Sequence, residues 1–169
     1  MMGSYFVLNP ALRAKVKEFL DYARKREALI YYDINFRSSH SSEAIKLYGT
    51  ILENFEYADI VRGSTEDFHN MFNLSDPEIV YQKEVAFYCK QMLCTDADGE
   101  ISLFSPRIKK KYQVNKIETV STIGAGDNFN AGIVFGLMTE GIKRDDIDSI
   151  TEAQWDRIIQ HGQAFAAEV

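Results

Sequence analysis

Gly124-Ala125-Gly126-Asp127 brings two glycines and a carboxylate together at the start of a stretch with helical periodicity. Glycine lets backbone N–H groups come close to an anion, and the first turn of a helix adds donors without intrahelical partners and the positive end of the dipole. Such a loop can cradle a phosphoryl group. A carboxylate placed inside this anion hole competes with the ligand, unless it takes a proton from a hydroxyl that attacks the phosphoryl group. The spacing alone also fits a carboxylate that merely caps its helix. Two better-known glycine motifs are set aside. A P-loop needs Gly-Lys-Ser/Thr and no Lys follows, and the dinucleotide fingerprint needs Gly or Ala at the position held by Phe129.

The other chemistry-bearing residues are sparser. His40, His69 and His161 have no partners at informative spacing, which favours surface or core roles. Cys89 and Cys94 form no CxxC pair and have no His at metal-ligand spacing, as expected of structural thiols in a reducing compartment.

The elements that must position these residues alternate regularly. Asn9-Pro10 reads as an N-cap and first-turn pair for a helix carrying Leu12, Val16, Phe19, Leu20 and Ala23. Ala28 to Phe36 reads as a buried strand, so Asp33, Asn35 and Arg37 fall at its carboxyl end. Ser41 or Ser42 is predicted to cap a second helix with Ile45, Tyr48, Leu52 and Phe55 on one face, followed by a short strand at Ala58 to Val61. Ser64-Thr65-Glu66-Asp67 has the Ser-x-x-acid form of a capping box, and Asp76-Pro77 opens a further helix. Met92 to Thr95, Glu100 to Ser105 and Lys110 to Val114 read as consecutive strands joined by the turn Asp96 to Gly99 and by Pro106, an antiparallel edge on an otherwise alternating α/β order. Ser121 to Gly126 is the most glycine-dense stretch, placed as a loop before a helix with Phe129, Ile133, Phe135, Gly136 and Leu137 available for packing. A last helix centred on Trp155, Ile158, Ile159 and Phe165 runs to Val169 without a C-cap, the ending expected of a cut chain.

Composition narrows the function classes. The 169 residues carry 19 Lys+Arg against 25 Asp+Glu, a net charge of −6, with 46% hydrophobic residues, 10 Gly and 3 Pro, as in one ordinary globular domain. An acidic chain makes a poor nucleic-acid binder, because that affinity comes mostly from Lys and Arg neutralising phosphates, and the single basic run, Lys109 to Lys111, reads as a solvated strand edge. No apolar run approaches the roughly 18 residues of a membrane span, and no signal peptide is visible, so no membrane role and a cytoplasmic location are expected.

Ser121 to Gly132, STIGAGDNFNAG, resembles the second signature of the ribokinase-like (PfkB) carbohydrate kinases, a thr-x-gly-ala-gly-asp loop followed by a phe-x-ala/gly-gly helix. Asp33-x-Asn35-x-Arg37 is similar to the asp-x-asn-x-arg stretch of the sugar-acid and ketohexose branches, and Val61 to Asp67 falls where the family has its asn-x-x-glu motif. The resemblance covers essentially the whole chain, matched to the C-terminal half to two thirds of such a kinase.

It implies a three-layer α/β/α ribokinase-like fold, ATP as phosphoryl donor, Mg²⁺, and transfer to a primary hydroxyl of a small-molecule sugar or sugar acid. Asp127 becomes the general base, and Gly124, Ala125 and Gly126 the anion hole. Glu66 becomes the residue that helps hold Mg²⁺, and Thr95 and Gly99 belong to the nucleotide side. Asp33, Asn35 and Arg37 belong to the substrate or phosphate side, with Arg37 placed to pair with an acidic substrate group. Local readings stand beside these: Glu66 as a first-turn helix acid, and Asp33, Asn35 and Arg37 as a strand-end turn with a structural ion pair.

There are departures. The nucleotide-side turn lacks the first glycine of thr-x-gly-x-x-gly, and Gly63 stands where asparagine is usual. The N-terminal βα units, the lid and the last helix are expected to be absent, so an exposed sheet edge favours a homodimer. The alternative to a kinase is a non-catalytic fragment that keeps the scaffold as an interaction module.

Overall fold

Short β-branched and aromatic runs separated by amphipathic helices give, among the described residues, one sheet of six strands that pair in chain order. The computed structural model describes residues 1–3, 5–97, 99–114 and 124–168, which form two units, Met1–Gln113 and Val114–Val169.

In the first unit, β1 (Met2–Gly3), β2 (Tyr31–Asp33), β3 (Ile60–Ser64) and β4 (Met92–Thr95) run parallel, each joined to the next through helix. The crossovers are α1 (Arg13–Lys25), α2 (Ala44–Tyr57), and the pair α3 (Thr65–Phe72) and α4 (Pro77–Val80), the last continuing as a π-helical turn to Val85. β5 (Glu100–Phe104) and β6 (Lys109–Gln113) add antiparallel to β4. This is the α/β class with an antiparallel edge read from the sequence. Lys109 and Lys111 are exposed on β6, the outermost strand among the described residues, where charged side chains disfavour pairing with another chain.

Register places Tyr32, Val61, Met92 and Phe104 in one row, and against that face pack Leu20 of α1, Leu47, Ile51 and Phe55 of α2, Phe68 of α3 and Val80 of α4. The other face carries Tyr31, Asp33, Arg62, Leu93 and Thr95.

Several element boundaries differ from the sequence reading, each for a local reason. Helix α1 starts at Arg13 rather than at Pro10, because the Asn9 side chain accepts from the Ala11 N–H at 2.9 Å and closes a turn instead of a cap. The buried strand is three residues rather than nine: the Ile30 N–H goes to Asp59 Oδ2 at 2.7 Å, and Asn35 turns into the left-handed region with φ 44°. Neither Ser41 nor Ser42 caps α2; Ser38–Glu43 forms a 3₁₀ turn in which Ser41 Oγ donates to Ser38 O. The buried face of α2 is Ala44, Leu47, Ile51 and Phe55, and Ile45 is 94% exposed. β3 runs later than Ala58–Val61, because the Ala58 N–H still closes α2 onto Asn54 O.

In the second unit, α5 (Ala125–Thr139) and α6 (Glu152–Ala166) pack closely. A Cβ on Gly132 would stand 2.4 Å from His161 O, and one on Gly162 2.8 Å from the Phe129 ring, so glycines set the helix separation. Phe135, expected to pack, is half exposed and stacks on Phe165 at 5.5 Å between centroids. No described helix is long and apolar enough to cross a membrane.

Candidate functional site

The carboxyl ends of parallel strands are where open α/β sheets bind ligands, and here they carry a connected polar array. Asp33 ends β2, Arg62 lies in β3 and Thr95 ends β4. Arg62 donates through one terminal nitrogen to Asp33 Oδ1 at 2.9 Å and through the other to Thr95 Oγ1 at 2.7 Å. Both charged residues are buried. Burial works against the charge on Arg62, but the Asp33 carboxylate, with Tyr31 and Asp67 behind it, more than offsets this and holds the guanidinium protonated above its ordinary range. Burial pushes the Tyr31 hydroxyl up as well, so it stays a neutral phenol beside the pair.

The turn after β2 is fixed from α3. Asp67 Oδ1 accepts from the Phe36 N–H at 2.7 Å, its Oδ2 accepts from the Ser64 N–H and Oγ at 2.7 Å each, and Asn70 Nδ2 donates to Phe36 O at 3.2 Å. Ser64 Oγ returns a bond from the Asp67 N–H, completing the expected capping box. The anchored segment holds Asn35 at its positive φ, and the exposed Arg37 donates through Nε to Asn35 Oδ1 at 3.4 Å. Arg37 thus leans on its neighbour, whereas Asp33 turns to Arg62.

Glu66 is exposed on the first turn of α3 and lines, with Thr65, His69, Ser75 and Asp96, an open cavity of about 330 Å³. The cavity joins Glu66 to the turn that follows Thr95. That turn is tight: the Asp96 N–H reaches Glu100 O at 2.8 Å, the Gly99 N–H reaches Asp96 O at 3.1 Å, and Gly99 takes φ 87°, which glycine adopts without strain. Among the described residues no cluster of three or more His, Cys, Asp or Glu could hold a metal by itself. The exposed Glu66 carboxylate, with Asp96 lining the same cavity, fits a hard divalent ion that keeps its waters and shares its other positions with phosphate oxygens.

In the second unit, Gly124 is the N-cap of α5 with φ 91°, and Ala125, Gly126 and Asp127 are the first three helical residues. Their N–H groups belong to the unpaired first turn, a donor set that suits a phosphate. Asp127 is exposed at the third helical position, so the N-cap role open to it from spacing falls to Gly124. Ser121 to Ile123 of the predicted loop lie outside the described residues.

A family model described as pfkB family carbohydrate kinase matches residues 1–169. The chain belongs to that family. Among curated relatives it is 23% identical over 145 residues to 5-dehydro-2-deoxygluconokinase 1 of Bacillus cereus, covering 80% of this chain and 42% of that one. Among solved structures it is similar to aminoimidazole riboside kinase from Salmonella enterica complexed with aminoimidazole riboside and an ATP analog, with TM-score 0.76, 18% identity, and 98% of this chain on 54% of that one. It is likewise similar to fructokinase from Vibrio cholerae O395 in its fructose, ADP and calcium ion bound form, with TM-score 0.74, 18% identity, and 98% of this chain on 50% of that one. The chain thus spans about two fifths of the curated relatives and half of these structures.

Within the pfkB family frame, Gly63 has a structural cause. A Cβ there would lie 2.9 Å from the Phe68 ring and 3.1 Å from Ile34, so position 63 faces the core and has no room for a ligand-bearing side chain. The three-residue spacing recurs one residue on, at Ser64 and Asp67, whose side chains bond each other. Sequence reasoning passed over Arg62 and Asp67. The Ser-x-x-acid pattern marked Asp67 only as a cap, and an arginine inside a strand sequence carries no local signal of its partner 29 residues away.

Proposed function

We propose that this chain is the nucleotide- and phosphate-handling part of an ATP-dependent kinase that phosphorylates a primary hydroxyl of a sugar or sugar acid. The observation that carries the reading is the Gly124 N-cap in left-handed conformation with Ala125, Gly126 and Asp127 on the first helical turn, in a chain of the pfkB carbohydrate kinase family. The ATP analog, ADP and calcium named with the neighbours support ATP and a divalent cation as cofactors, with Mg²⁺ the proposed ion.

When bound, Mg-ATP supplies the γ-phosphoryl group and part of the neutralising charge. The backbone N–H groups of Gly124, Ala125 and Gly126 donate to its anionic oxygens, the helix dipole adding to their field. Asp127 accepts the proton of the acceptor hydroxyl as that oxygen attacks. Glu66 holds the metal's waters, and Thr95 and Gly99 line the nucleotide side. Asn35 and the exposed Arg37 are proposed to face the acceptor or its phosphate, and Asp33 belongs to the same strand end but is buried against Arg62. Residues 1–169 are proposed as a partial ribokinase-like domain. The 42% coverage of its relative favours a second reading for the chain by itself: it binds nucleotide but turns over sugars far below the ~10 s⁻¹ typical of enzymes, because the acceptor is not held in line.

One pair of variants tests the assignment. Asp127→Asn should leave Mg-ATP affinity near wild type and lower phosphoryl transfer to a sugar, or the slow hydrolysis to water, by at least ~10²-fold. Gly126→Val should remove phosphate binding while the far-UV spectrum is kept. Near-normal turnover with Asn at 127, or unchanged phosphate affinity with Val at 126, would place the base or the anion hole elsewhere.

A further inference from the structure

Thr95 is bonded by a residue that can only donate. A threonine hydroxyl has one proton and two lone pairs, and arginine has no acceptor, so the 2.7 Å contact from the Arg62 guanidinium makes Thr95 Oγ1 the acceptor and turns its proton away from Arg62. The guanidinium is itself held: its other terminal nitrogen is fixed at 2.9 Å on Asp33 Oδ1, and planarity transmits that constraint to the nitrogen facing Thr95. Thr95 is only partly buried and is the last residue of β4, next to the tight turn that ends in Gly99. The array therefore presents an oriented O–H at the carboxyl end of a parallel strand.

We propose that Arg62 is a positioning residue, which aims the Thr95 hydroxyl proton at an anionic oxygen of a ligand bound at the β4–β5 turn. This rests on the reading of that turn as the nucleotide side, and the ligand class is a nucleoside di- or triphosphate. The ion pair neutralises most of the arginine's charge, so Arg62 acts through Thr95 and not as a phosphate clamp of its own. It also ties the end of β2, which bears the acceptor-side residues, to the end of β4, which bears the nucleotide side.

The test measures Mg-ADP binding to the 169-residue chain by calorimetry, with thermal melts of every variant. Thr95→Val should weaken binding about ten- to a hundredfold, the range for a hydrogen bond to a charged acceptor. Thr95→Ser, which keeps the hydroxyl, should stay close to wild type. Arg62→Lys replaces the planar fork with a point charge that cannot serve Asp33 and Thr95 in the same geometry. It should weaken binding as Thr95→Val does, and the double variant should be no weaker than either, because both remove one interaction. Where Arg62→Lys melts out, the pair Arg62→Met/Asp33→Leu restores an apolar filling while leaving Thr95 without its donor, and should show the same loss of ADP affinity. A purely mechanical brace lowers melting temperatures and leaves affinity alone. A loss of ADP affinity with Thr95→Val but none with the Arg62 variants would overturn the proposal while sparing the nucleotide-side reading, and equal affinity in wild type, Thr95→Val and the Arg62 variants would overturn the proposal and remove Thr95 from the nucleotide side. Failure of the wild-type chain to bind Mg-ADP at all would overturn both.

Discussion

Gly132→Ala sets two effects of opposite sign against each other at a position where the structure decides the winner. Gly132 lies inside α5, and alanine in a helix interior is worth about 0.5–1 kcal/mol over glycine. Against that gain, the new methyl would stand 2.4 Å from His161 O, 2.7 Å from Gly162 Cα and 2.8 Å from the His161 carbonyl carbon. All three are backbone atoms of α6, which cannot swing aside as a flexible side chain can, so α5 and α6 must separate. Forced overpacking of this kind costs about 1–3 kcal/mol, and backbone contact places this case at the upper end. The net is a loss of roughly 2 kcal/mol, and at about 2–4 °C per kcal/mol for a chain of this size the melting temperature should fall by ~4–8 °C. Gly49→Ala is the matched control, because Gly49 lies inside α2 with nothing within 4 Å of the place its new methyl would take. There the propensity term acts alone, and the melting temperature should rise by ~1–4 °C. Thermal melts by circular dichroism read both. If Gly132→Ala melts at or above the wild type while Gly49→Ala is stabilised, the close approach of α5 and α6 is refuted, and with it the helix separation that supports the first turn carrying Asp127.

Asp67→Ala removes one carboxylate that accepts three hydrogen bonds and leaves the Phe36 and Ser64 N–H groups unserved, so it should cost about 2–4 kcal/mol in urea denaturation. A loss under ~1 kcal/mol would show that the β2–α3 junction does not depend on it. Burial pushes the Cys94 thiol up to about 12, so in a Cys89→Ala background the folded chain should resist a thiol reagent at pH 8 and react only on unfolding; rapid native labelling would contradict this. The same shift has a sign: the thiol ionises first in the unfolded chain, so its contribution to stability is complete below pH about 9 and is lost as the pH climbs toward about 12.

Features encoded within a few residues were legible in the sequence. The Ser64–Asp67 capping box, the Asp96–Gly99 turn between antiparallel strands and the Gly124–Asp127 helix start are set by neighbours in the chain, and all three stand in the structure. Features set by tertiary contact were not. Helix α2 has two apolar stripes, and the choice of Ala44, Leu47 and Ile51 over Ile45 and Tyr48 is made by the row of Tyr32, Val61 and Met92 that it must cover. The strand reading of Ala28 to Phe36 overran, because the bond from the Phe36 N–H to Asp67 comes from 31 residues away and pulls the chain out of the sheet at Asn35. Of the adjacent acids Glu66 and Asp67 the Ser-x-x-acid pattern marks only Asp67 as a cap, but its burial in the junction, with Glu66 left on the open cavity, is set by the Phe36 N–H from another element.

The Asp33–Arg62 pair bears most directly on function, because stability does not explain it. Taking two charges out of water costs several kcal/mol per ion before any attraction is counted, and apolar residues of similar volume often do as well or better in such places. The neighbouring positions on the same sheet face, Tyr31 and Leu93, are buried hydrophobics, so an apolar solution lay close at hand on the strands either side. What apolar residues could not supply is a fixed donor at 2.7 Å from Thr95 Oγ1, at the strand ends where α/β sheets receive their ligands. The charge pair is therefore better accounted for by the hydroxyl it orients than by the strands it joins.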